Sequence, residues 1–364
     1  MPTLRLPHPM VLLLAAVLAA AVLTWILPAG EFERALDPET EREQVVAGTY
    51  KSVDPAPVGP LGAALAVPRG VVAGSEVVVV ILFVGGAFVL LDRTGALARL
   101  IGALLGRTHR PRTVVVTVSI LFATLGALVN LHEEIIALVP VLVVLSRGLG
   151  FGAITALAMS IGAAVVGAAF GPTNPFAAGI AQQFADVPPL TGFGSLLGLT
   201  VGAVTVWILW TLWQTKHDDV RPDVEAGDSQ PATRRDALML GLALLPFVPY
   251  VLGTLRLGWG FNELSACFLV AAYAVGLLAG LGIHGTTVEY FKGMEAMLTA
   301  ALFVGVARGI SVVLTDGRII DTIVYGLAKP LEALPGLLAA GLMVPTHTLL
   351  HLVVPSTSGH AALV

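Results

Sequence analysis

Residues 113–146 form the stretch that decides the fold: "TVVVTVSILFATLGALVNLHEEIIALVPVLVVLS". The stretch is apolar except at its middle, and it lies between Arg112 and Arg147. Because basic residues that flank apolar segments favour the cytoplasmic side, we expect both ends of the stretch on that side. Each limb has about 16 residues and would measure ~24 Å as a helix, less than the ~30 Å hydrocarbon core. The stretch therefore predicts a re-entrant hairpin, with two short spans as the alternative.

The composition of the whole chain is that of a membrane protein. Of its 364 residues, 56% are hydrophobic and 12% are charged, and its mean hydropathy is +0.88. Soluble domains carry about 25% charged residues. We therefore predict an all-α polytopic protein of the cytoplasmic (inner) membrane, surrounded by membrane lipid. The net charge of -4 argues against a nucleic-acid partner, and the single Cys267 excludes a disulfide framework.

Apolar and charged segments alternate along the chain in an order that predicts its domains. The apolar run 10–27 is longer than the ~7–15 residues of a signal-peptide core, so we expect it to be retained. Acidic residues dominate 29–75, which places it outside, and basic residues place 93–112 and 214–236 in the cytoplasm. The predicted order is a first transmembrane helix with a cytoplasmic N-terminus (1–28), an extracytoplasmic loop of turns and short extended pieces (29–75), a first repeat (76–213), a cytoplasmic linker (214–236) and an incomplete second repeat (237–364).

The middle of the hairpin carries polar and charged residues, namely Asn130, His132, Glu133 and Glu134. Each charge at such a depth costs ~2.5–3.5 kcal/mol or more, whereas a helix dipole returns only ~0.3–1 kcal/mol. We therefore expect this tip to line a cavity, where a cation, a proton or a cationic group of the substrate neutralises a carboxylate. The alternative is structural: Asn130 caps the second limb and the two Glu complement its dipole. A zinc-protease site is excluded, because Ile136 stands where the second His is required.

The next polar interruption is "GPTNP" at 171–175, inside an apolar segment. Its two prolines remove backbone donors and disfavour helix at the residues before them, so carbonyl groups are freed. A cation can be one partner of such carbonyls, and an unwound span is typical of secondary carriers. We predict that Gly171, Thr173 and Asn174 belong to a substrate or ion site, with Na⁺ near Thr173, Asn174 and Asn130. An ordinary kink or loop is the alternative.

Two segments of the chain repeat one pattern. "LFVGGAFVLLDRTG" begins at Leu82 and "LFVGVARGISVVLTDG" begins at Leu302, and each runs through a span into a small-residue turn. Counting spans from the linker gives 237–255 outward, 264–282 inward and 297–315 outward, whereas 76–91 in the first copy runs inward. The second copy is therefore opposite in topology to the first, which predicts a site at a pseudo-two-fold axis in the membrane plane. The first repeat would contain a span, an amphipathic helix, the hairpin 113–146, a broken helix (152–185) and a further span.

The second copy ends in "VPSTSGH", which predicts the tip of a second hairpin. Ser356, Thr357 and Ser358 supply hydroxyl oxygens that bind an ion or a substrate carboxylate, and Gly359 permits close approach of backbone. We expect these residues to face the same midplane cavity as the first tip. The alternative is that the hydroxyl groups only join helices by hydrogen bonds.

Four segments together resemble one transporter family. "ILPAGEFER", "NLHEEIIALVPVL", "GPTNPFAAGIAQ" and "VPSTSGHAAL" occur in the order found in the four-carbon dicarboxylate anaerobic carriers, YfcC/DcuC-type, of the ion transporter superfamily. The resemblance implies a homodimeric secondary carrier coupled to Na⁺ or H⁺, with the site at Asn130 to Glu134, Gly171 to Asn174 and Ser356 to Gly359. In that family a second helix break and further spans follow the second tip. We therefore expect this chain to be a C-terminal truncation that lacks half of the second site.

The function predicted from the sequence is ion-coupled secondary active transport of a small organic solute. A dicarboxylate or related carboxylate is the first substrate class, moved by alternating access at a midplane site. A basic amino-acid exchanger of the same family and, from a different class, a channel-like pore are the alternatives. We expect no enzyme and no cofactor: GxxxxGK[ST] does not occur, and "STSGH" has Ser356 where a serine hydrolase needs glycine.

Overall fold

The computed structural model of the chain describes residues 7–36, 43–46, 48–97, 99–100, 103, 110–130, 134–174, 178, 182, 187–188, 190–216, 231–257, 259–332, 334–335, 338–339, 341–343 and 345–346. In this part, eight helices are long and apolar enough to cross a membrane. The predicted class, an all-α polytopic membrane protein, is confirmed. The chain divides into two compact units, one made of 1–75 and 302–364 and the other of 76–301. We refer to them as unit 1 and unit 2.

Unit 1 is built from helices at its two ends and short strands between them. Its elements are α1 (Pro9–Ile26), β1 (Gly30–Glu31), β2 (Arg34–Leu36), β3 (Glu43–Val45), β4 (Lys51–Ser52), α2 (Pro60–Ala73), the last part of the long helix Gly282–Asp316, and Ile320–Glu332. Strand β1 pairs with β4 and β2 pairs with β3, both antiparallel. Val17, Ala66 and Val313 belong to one buried apolar core, which joins α1, α2 and the long helix.

The helix α2 corrects the prediction that 29–75 is a loop of turns and short extended pieces. The strands match that prediction, but 60–73 is helical. Pro60 stands in the first turn after the N-cap Gly59, where its missing N–H costs nothing. Pro68 lies inside the helix, so a residue that usually interrupts helices is tolerated here. The proline content suggested a loop, but the apolar residues between the prolines pack into the core of unit 1.

The paired strands dock onto the helix Ile320–Glu332. Arg34 Nη2 lies 2.8 Å from Asp321 Oδ1, and the backbone N–H of Phe32 donates to Asp321 Oδ2 at 2.9 Å. The rings of Tyr50 and Tyr325 stack with centroids 4.1 Å apart. The short strands are therefore tied to one face of a helix by a buried carboxylate and an aromatic pair.

Unit 2 contains the remaining apolar helices. They are α3 (Ser75–Arg93), α4 (Pro111–Val129), α5 (Val139–Gly148), α6 (Ala153–Leu157), α7 (Ala163–Phe170), α8 (Phe193–Gln214), α9 (Arg234–Leu244), α10 (Phe247–Leu257), α11 (Phe261–Leu278) and the first part of α12 (Gly282–Asp316); the helix Ile320–Glu332 of unit 1 is α13. A 3₁₀ segment, Glu134–Leu138, precedes α5, and a π-helical turn, Ala158–Gly162, joins α6 to α7.

Two predicted spans differ from the helices observed. The span expected at 297–315 is part of α12, which has 35 residues and is ~52 Å long. The span expected at 237–255 corresponds to Arg234–Gly253, one of the eight segments long enough to cross a membrane, but a turn at 245–246 divides it into α9 and α10, because Pro246 cannot donate a helical hydrogen bond. The spans at 76–91 and 264–282 correspond to α3 and α11.

The two ends of the stretch 113–146 lie close together in the structure. Val115 near its beginning shares a buried core with Leu149 and Phe151, which follow its second limb. The two ends of the stretch therefore lie together, as both the predicted hairpin and its alternative, two short spans, require. The first limb, α4, has 19 residues and is long enough to cross a membrane, so it is longer than the limb of about 16 residues expected from the sequence. The division into a first and a second repeat stays a prediction, because the two compact units separate the chain at other positions.

Candidate functional site

The first limb of the hairpin ends at Asn130. This residue has φ 57° and ψ 28°, and its N–H donates to the Gly126 carbonyl oxygen at 3.0 Å. Asparagine is among the few residues that adopt this left-handed conformation readily. Asn130 is thus the C-cap of the first limb. The second limb begins as the 3₁₀ segment at Glu134.

The helix α7 ends at Phe170, as the prolines of "GPTNP" predict. Gly171 is extended, with φ -61° and ψ 116°. The freed carbonyl oxygens find partners within the protein. The Asn174 Nδ2 group donates to the Ala168 carbonyl at 3.0 Å. The Thr200 hydroxyl donates to the Phe170 carbonyl at 2.6 Å. The break therefore satisfies these carbonyls with side chains, although each carbonyl oxygen keeps a second lone pair for an ion.

The two interruptions meet at a polar junction of Asn130, Thr173 and Asn174. Asn174 Nδ2 donates to Asn130 Oδ1 at 2.9 Å, and the Thr173 hydroxyl donates to the Ala127 carbonyl at 3.2 Å. Asn174 is fully buried, with 0% of its surface exposed. Three residues that the sequence places in one site are thus in contact, and they come from two segments more than 40 positions apart.

Small residues bring the two helices close enough for this contact. A Cβ atom added to Gly167 would overlap the carbonyl oxygen of Ala123, and one added to Gly171 would lie 2.6 Å from Cα of Ala127. Gly167 and Gly171 form a G-x-x-x-G spacing, which lets backbones of apolar helices approach each other. This spacing is visible in "GAAFG" but was not among the features predicted from the sequence.

The two helices also run in the same direction. Val115 and Met159, near the starts of α4 and of the helix formed by α6 and α7, share one core. Asn130 and Asn174, at their ends, share a hydrogen bond. Parallel neighbours require the chain to return between them, which α5 does. The junction therefore lies at the end of a parallel helix pair, beside the turn of the hairpin.

A π-helical turn lies between α6 and α7, on the N-terminal side of the junction. It spans Ala158–Gly162, and the Trp207 Nε1–H donates to the Ala158 carbonyl at 2.8 Å. The indole also covers Gly162, where an added Cβ would overlap its ring. Such turns occur frequently at functional sites of helices. Nothing in the local sequence pattern predicted either the turn or the role of Trp207.

Most of the other residues predicted for the site lie outside the part of the chain that the structure describes. His132, Glu133 and Ser356 to Gly359 lie outside the described residues, and the backbone of Glu134 begins the 3₁₀ segment. The described residues contain no group of three or more His, Cys, Asp or Glu side chains that could hold a metal ion. The junction offers amide, hydroxyl and carbonyl oxygens instead, which are neutral ligands of the kind suited to Na⁺.

A charged cluster in unit 2 joins segments predicted to be cytoplasmic. Arg99 Nη2 lies 2.6 Å from Asp236 Oδ1, and this hydrogen bond raises the pKa of Arg99 above its ordinary value. Asp236 also accepts from the backbone N–H of Thr233 at 2.8 Å. Next to it, the Arg235 guanidinium donates to the carbonyl oxygen of Leu278. The basic segments 93–112 and 214–236 thus meet the end of α11.

Two solved structures resemble the fold at low similarity. The YdaH transporter of Alcanivorax borkumensis is 16% identical, with 98% of this chain and 81% of that chain covered and a TM-score of 0.43. MtrF of Neisseria gonorrhoeae, from a class of antimetabolite efflux pumps, is 15% identical, with 99% and 79% covered and a TM-score of 0.43.

Sequence relatives match almost the whole chain. An uncharacterized protein of Haemophilus influenzae is 25% identical over 421 aligned positions, covering 99% of this chain and 82% of that protein. A protein of Escherichia coli named putative basic amino acid antiporter YfcC is 25% identical, covering 100% of this chain and 82% of the relative. The sequence model of a family described as "DcuC: C4-dicarboxylate anaerobic carrier" matches residues 6–364. This chain therefore belongs to the DcuC family of C4-dicarboxylate anaerobic carriers.

Proposed function

We propose that this protein is an ion-coupled secondary carrier of a small organic solute, with a dicarboxylate or related carboxylate as the first substrate class. The observation that carries the proposal is the buried hydrogen bond of 2.9 Å between Asn174 and Asn130. It joins two helix ends inside apolar segments, which is the arrangement that secondary carriers use around their sites. Membership of a carrier family supports the same function.

The polar junction suits alternating access because its bonds can be exchanged. Asn130 and Asn174 each carry a donor and an acceptor, so a solute or ion can replace one partner without leaving a buried group unpaired. The left-handed backbone at Asn130 and the extended Gly171 are points at which the two segments can bend. Transport would then consist of solute binding at the junction, a change of exposure to the other side, and release.

The polar residues of the junction and of the first tip suit either of two coupling ions. A Na⁺ ion would take Asn130 Oδ1, Thr173 Oγ1 and nearby carbonyl oxygens, all of which are hard neutral ligands. A proton would instead be carried by Glu133 or Glu134, because adjacent carboxylates in an apolar setting raise the chance that one is protonated near neutral pH. Dependence of uptake on a Na⁺ gradient or on a pH gradient separates the two ions.

The second candidate is exchange of basic amino acids. Two observations favour it: the relative in Escherichia coli is named a putative basic amino acid antiporter, and the first tip carries the adjacent carboxylates Glu133 and Glu134. A cationic substrate would neutralise these carboxylates directly. In that case Glu133→Gln and Glu134→Gln would abolish arginine exchange, whereas a carboxylate carrier would not exchange arginine at all.

We propose that the protein resides in the cytoplasmic (inner) membrane as a homodimer with its N-terminus in the cytoplasm. The excess of arginine in 93–112 and the acidic character of 29–75 support this orientation. The contact between Arg99 and Asp236, which belong to two segments predicted on the cytoplasmic side, agrees with it. The proposal of a homodimer is supported by the family resemblance alone.

The test is solute counterflow by the purified full chain in proteoliposomes, with succinate and arginine as probes. We expect saturable succinate counterflow, lowered at least tenfold in Asn174→Ala. Thr124→Val is the matched control, since the Thr124 hydroxyl donates to the Ile120 carbonyl of its own helix and to no other group among the described residues, and it should behave like the parent. Parental counterflow by Asn174→Ala would contradict a role of the junction. Ohmic current without counterflow would make the protein a pore.

A further inference from the structure

A single indole contacts both ends of the π-helical turn between α6 and α7. The Trp207 Nε1–H donates to the carbonyl oxygen of Ala158, the first residue of the turn, at 2.8 Å. A Cβ atom added to Gly162, the last residue of the turn, would overlap the ring of Trp207. One side chain of α8 therefore lies along the whole turn.

The hydrogen bonds of the turn show that it holds one residue more than an α-helical turn. The Ala158 carbonyl accepts the backbone N–H of Ala163, five positions later, whereas an α-helix joins residues four positions apart. If the turn became α-helical, the segment after it would rotate by about 100° and move by ~1.5 Å along the axis. The π-helical turn thus determines which side of α7 faces α4.

The segments on the two sides of the turn both contact the hairpin. Before the turn, Ala156 shares a buried core with Val115 of α4. After the turn, Asn174 Nδ2 donates to Asn130 Oδ1 at 2.9 Å. A rotation of α7 by about 100° between these two contacts would carry Asn174 away from Asn130. The polar junction therefore requires the turn to stay π-helical.

The alternative is that Trp207 only packs α8 against its neighbours. An indole N–H in an apolar setting needs an acceptor, and a helix carbonyl can supply one. This need does not explain why the same ring lies against Gly162, four positions after the acceptor. The Ala158 carbonyl also accepts the Ala163 N–H already, so the indole adds a second bond where the helical pattern is irregular.

The helix α8 makes a second contact of this kind at the other end of α7. The Thr200 hydroxyl donates at 2.6 Å to the carbonyl of Phe170, where the helix ends before Pro172. Both polar contacts from α8 thus reach carbonyls at which the α-helical pattern is interrupted. This agreement favours a role in positioning α7 over simple packing.

We propose that Trp207 is a positioning residue, which holds the π-helical turn and thereby keeps Asn174 against Asn130. The inference rests on the proposed carrier function and adds to its site a residue that does not contact the solute. It also predicts a specific rescue. Deletion of one residue from the turn gives an α-helical segment that keeps both sides in register, so that the indole is no longer required.

The first measurement follows the junction without transport. In a Cys267→Ala background, Ala127→Cys and Thr173→Cys are introduced, since Thr173 Oγ1 lies 3.2 Å from the Ala127 carbonyl oxygen. The purified full chain is oxidised in nanodiscs. We expect disulfide formation to be at least fivefold slower in Trp207→Phe, which keeps a ring and loses the donor. Additional deletion of Ile161 should restore the parental rate.

The second measurement is succinate counterflow in chains without the two introduced cysteines. We expect Trp207→Phe to raise the half-saturating succinate concentration at least tenfold, with a smaller change in maximal rate, and deletion of Ile161 to reverse this. A merely destabilised protein would lose maximal rate, and a deletion inside a helix would not repair it. Trp25→Phe is the matched control for both measurements, because it loses an indole bond of 3.0 Å to the Val58 carbonyl in unit 1. It should behave like the parent.

Two results would overturn the proposal: parental cross-linking in Trp207→Phe, and slow cross-linking that deletion of Ile161 does not restore. If Trp207→Phe does not fold, the deletion should restore folding as read by size-exclusion chromatography, and its failure would also overturn the proposal. Cross-linking that depends on Trp207 in a parent without counterflow would support this role and remove the proposed carrier function. Counterflow by a parent whose cross-linking is independent of Trp207 would do the reverse.

Discussion

At Gly167 the candidate site depends on the absence of a side chain. The neighbouring carbonyl of Ala123 occupies the space where a Cβ would lie, and it belongs to backbone that cannot move without shifting α4. Because α4 and α7 carry the two asparagines of the junction, any separation of these helices would lengthen the bond between Asn130 and Asn174. The polar junction therefore depends on the close contact between α4 and α7.

Gly167→Ala tests this dependence. We expect a loss of about 1–3 kcal/mol of stability from overpacking, seen as a lower melting temperature in detergent. Gly202→Ala is the matched control: Gly202 is also helical, but nothing lies within 4 Å of an added Cβ. Alanine should be neutral or slightly stabilising there. Equal melting temperatures for both variants would show that α4 and α7 can separate at little cost.

The sequence predicted some of these residues and not others, for physical reasons. Asn130 and Asn174 interrupt apolar runs, so a local pattern marks both of them. Thr200 and Trp207 lie in an ordinary apolar helix, and their partners are 30 and 49 positions away. No local pattern reports such partners, because they depend on which helices pack together.

At the scale of elements, the N-terminus of α9 is held by a single carboxylate. Asp236 accepts hydrogen bonds from Thr233 and from two nitrogens of Arg99, at 2.6 and 3.1 Å, and only 2% of its surface is exposed. A capping box of this kind fixes where a helix begins. The same carboxylate ties that helix to the segment that follows α3.

Asp236→Ala should therefore destabilise the protein more than a surface substitution does. We expect a loss of about 2 kcal/mol, below the ~3–5 kcal/mol of fully buried pairs because Arg99 is partly exposed. Glu289→Gln is the control, since Glu289 also pairs with an arginine, Arg93, but its side chain is 26% exposed, so this substitution should destabilise the protein clearly less than Asp236→Ala. Equal thermal shifts for the two variants would mean that the Asp236 contacts contribute no more than surface pairs.

Elements were predicted well where apolar runs have clear ends and poorly where they do not. The run of α3 stops at Asp92 and Arg93, and its span was predicted within two residues of each end. The predicted span 297–315 begins beyond Glu289 and Lys292, two charged residues that lie inside α12. They form an ion pair on its surface at 2.7 Å, so the helix continues through them.

At the scale of the molecule, ion pairs within each unit connect segments that are predicted to lie on the same side of the membrane. In unit 2, Arg93 of the first basic segment pairs with Glu289 at 2.7 Å. In unit 1, Arg34 and Glu31 of the acidic segment pair with residues just after α12, Asp321 and Arg318. In each pair, the charge distribution predicts the side of one member and the count of spans places the other member on the same side.

This grouping leads to a prediction about membrane orientation. In a Cys267→Ala background, single cysteines at positions 105 and 147 should be labelled from the cytoplasm, and one at position 40 from outside. The shared core of Val115, Leu149 and Phe151 is the physical reason, because it brings the two ends of the hairpin to one level. The measurement is labelling by a membrane-impermeant maleimide in right-side-out and inside-out vesicles, with a permeant maleimide as the control for accessibility. Labelling of 105 and 147 from opposite sides would show that the stretch crosses the membrane an odd number of times. The polar junction would then lie at a membrane surface, where two asparagines face water and need no solute.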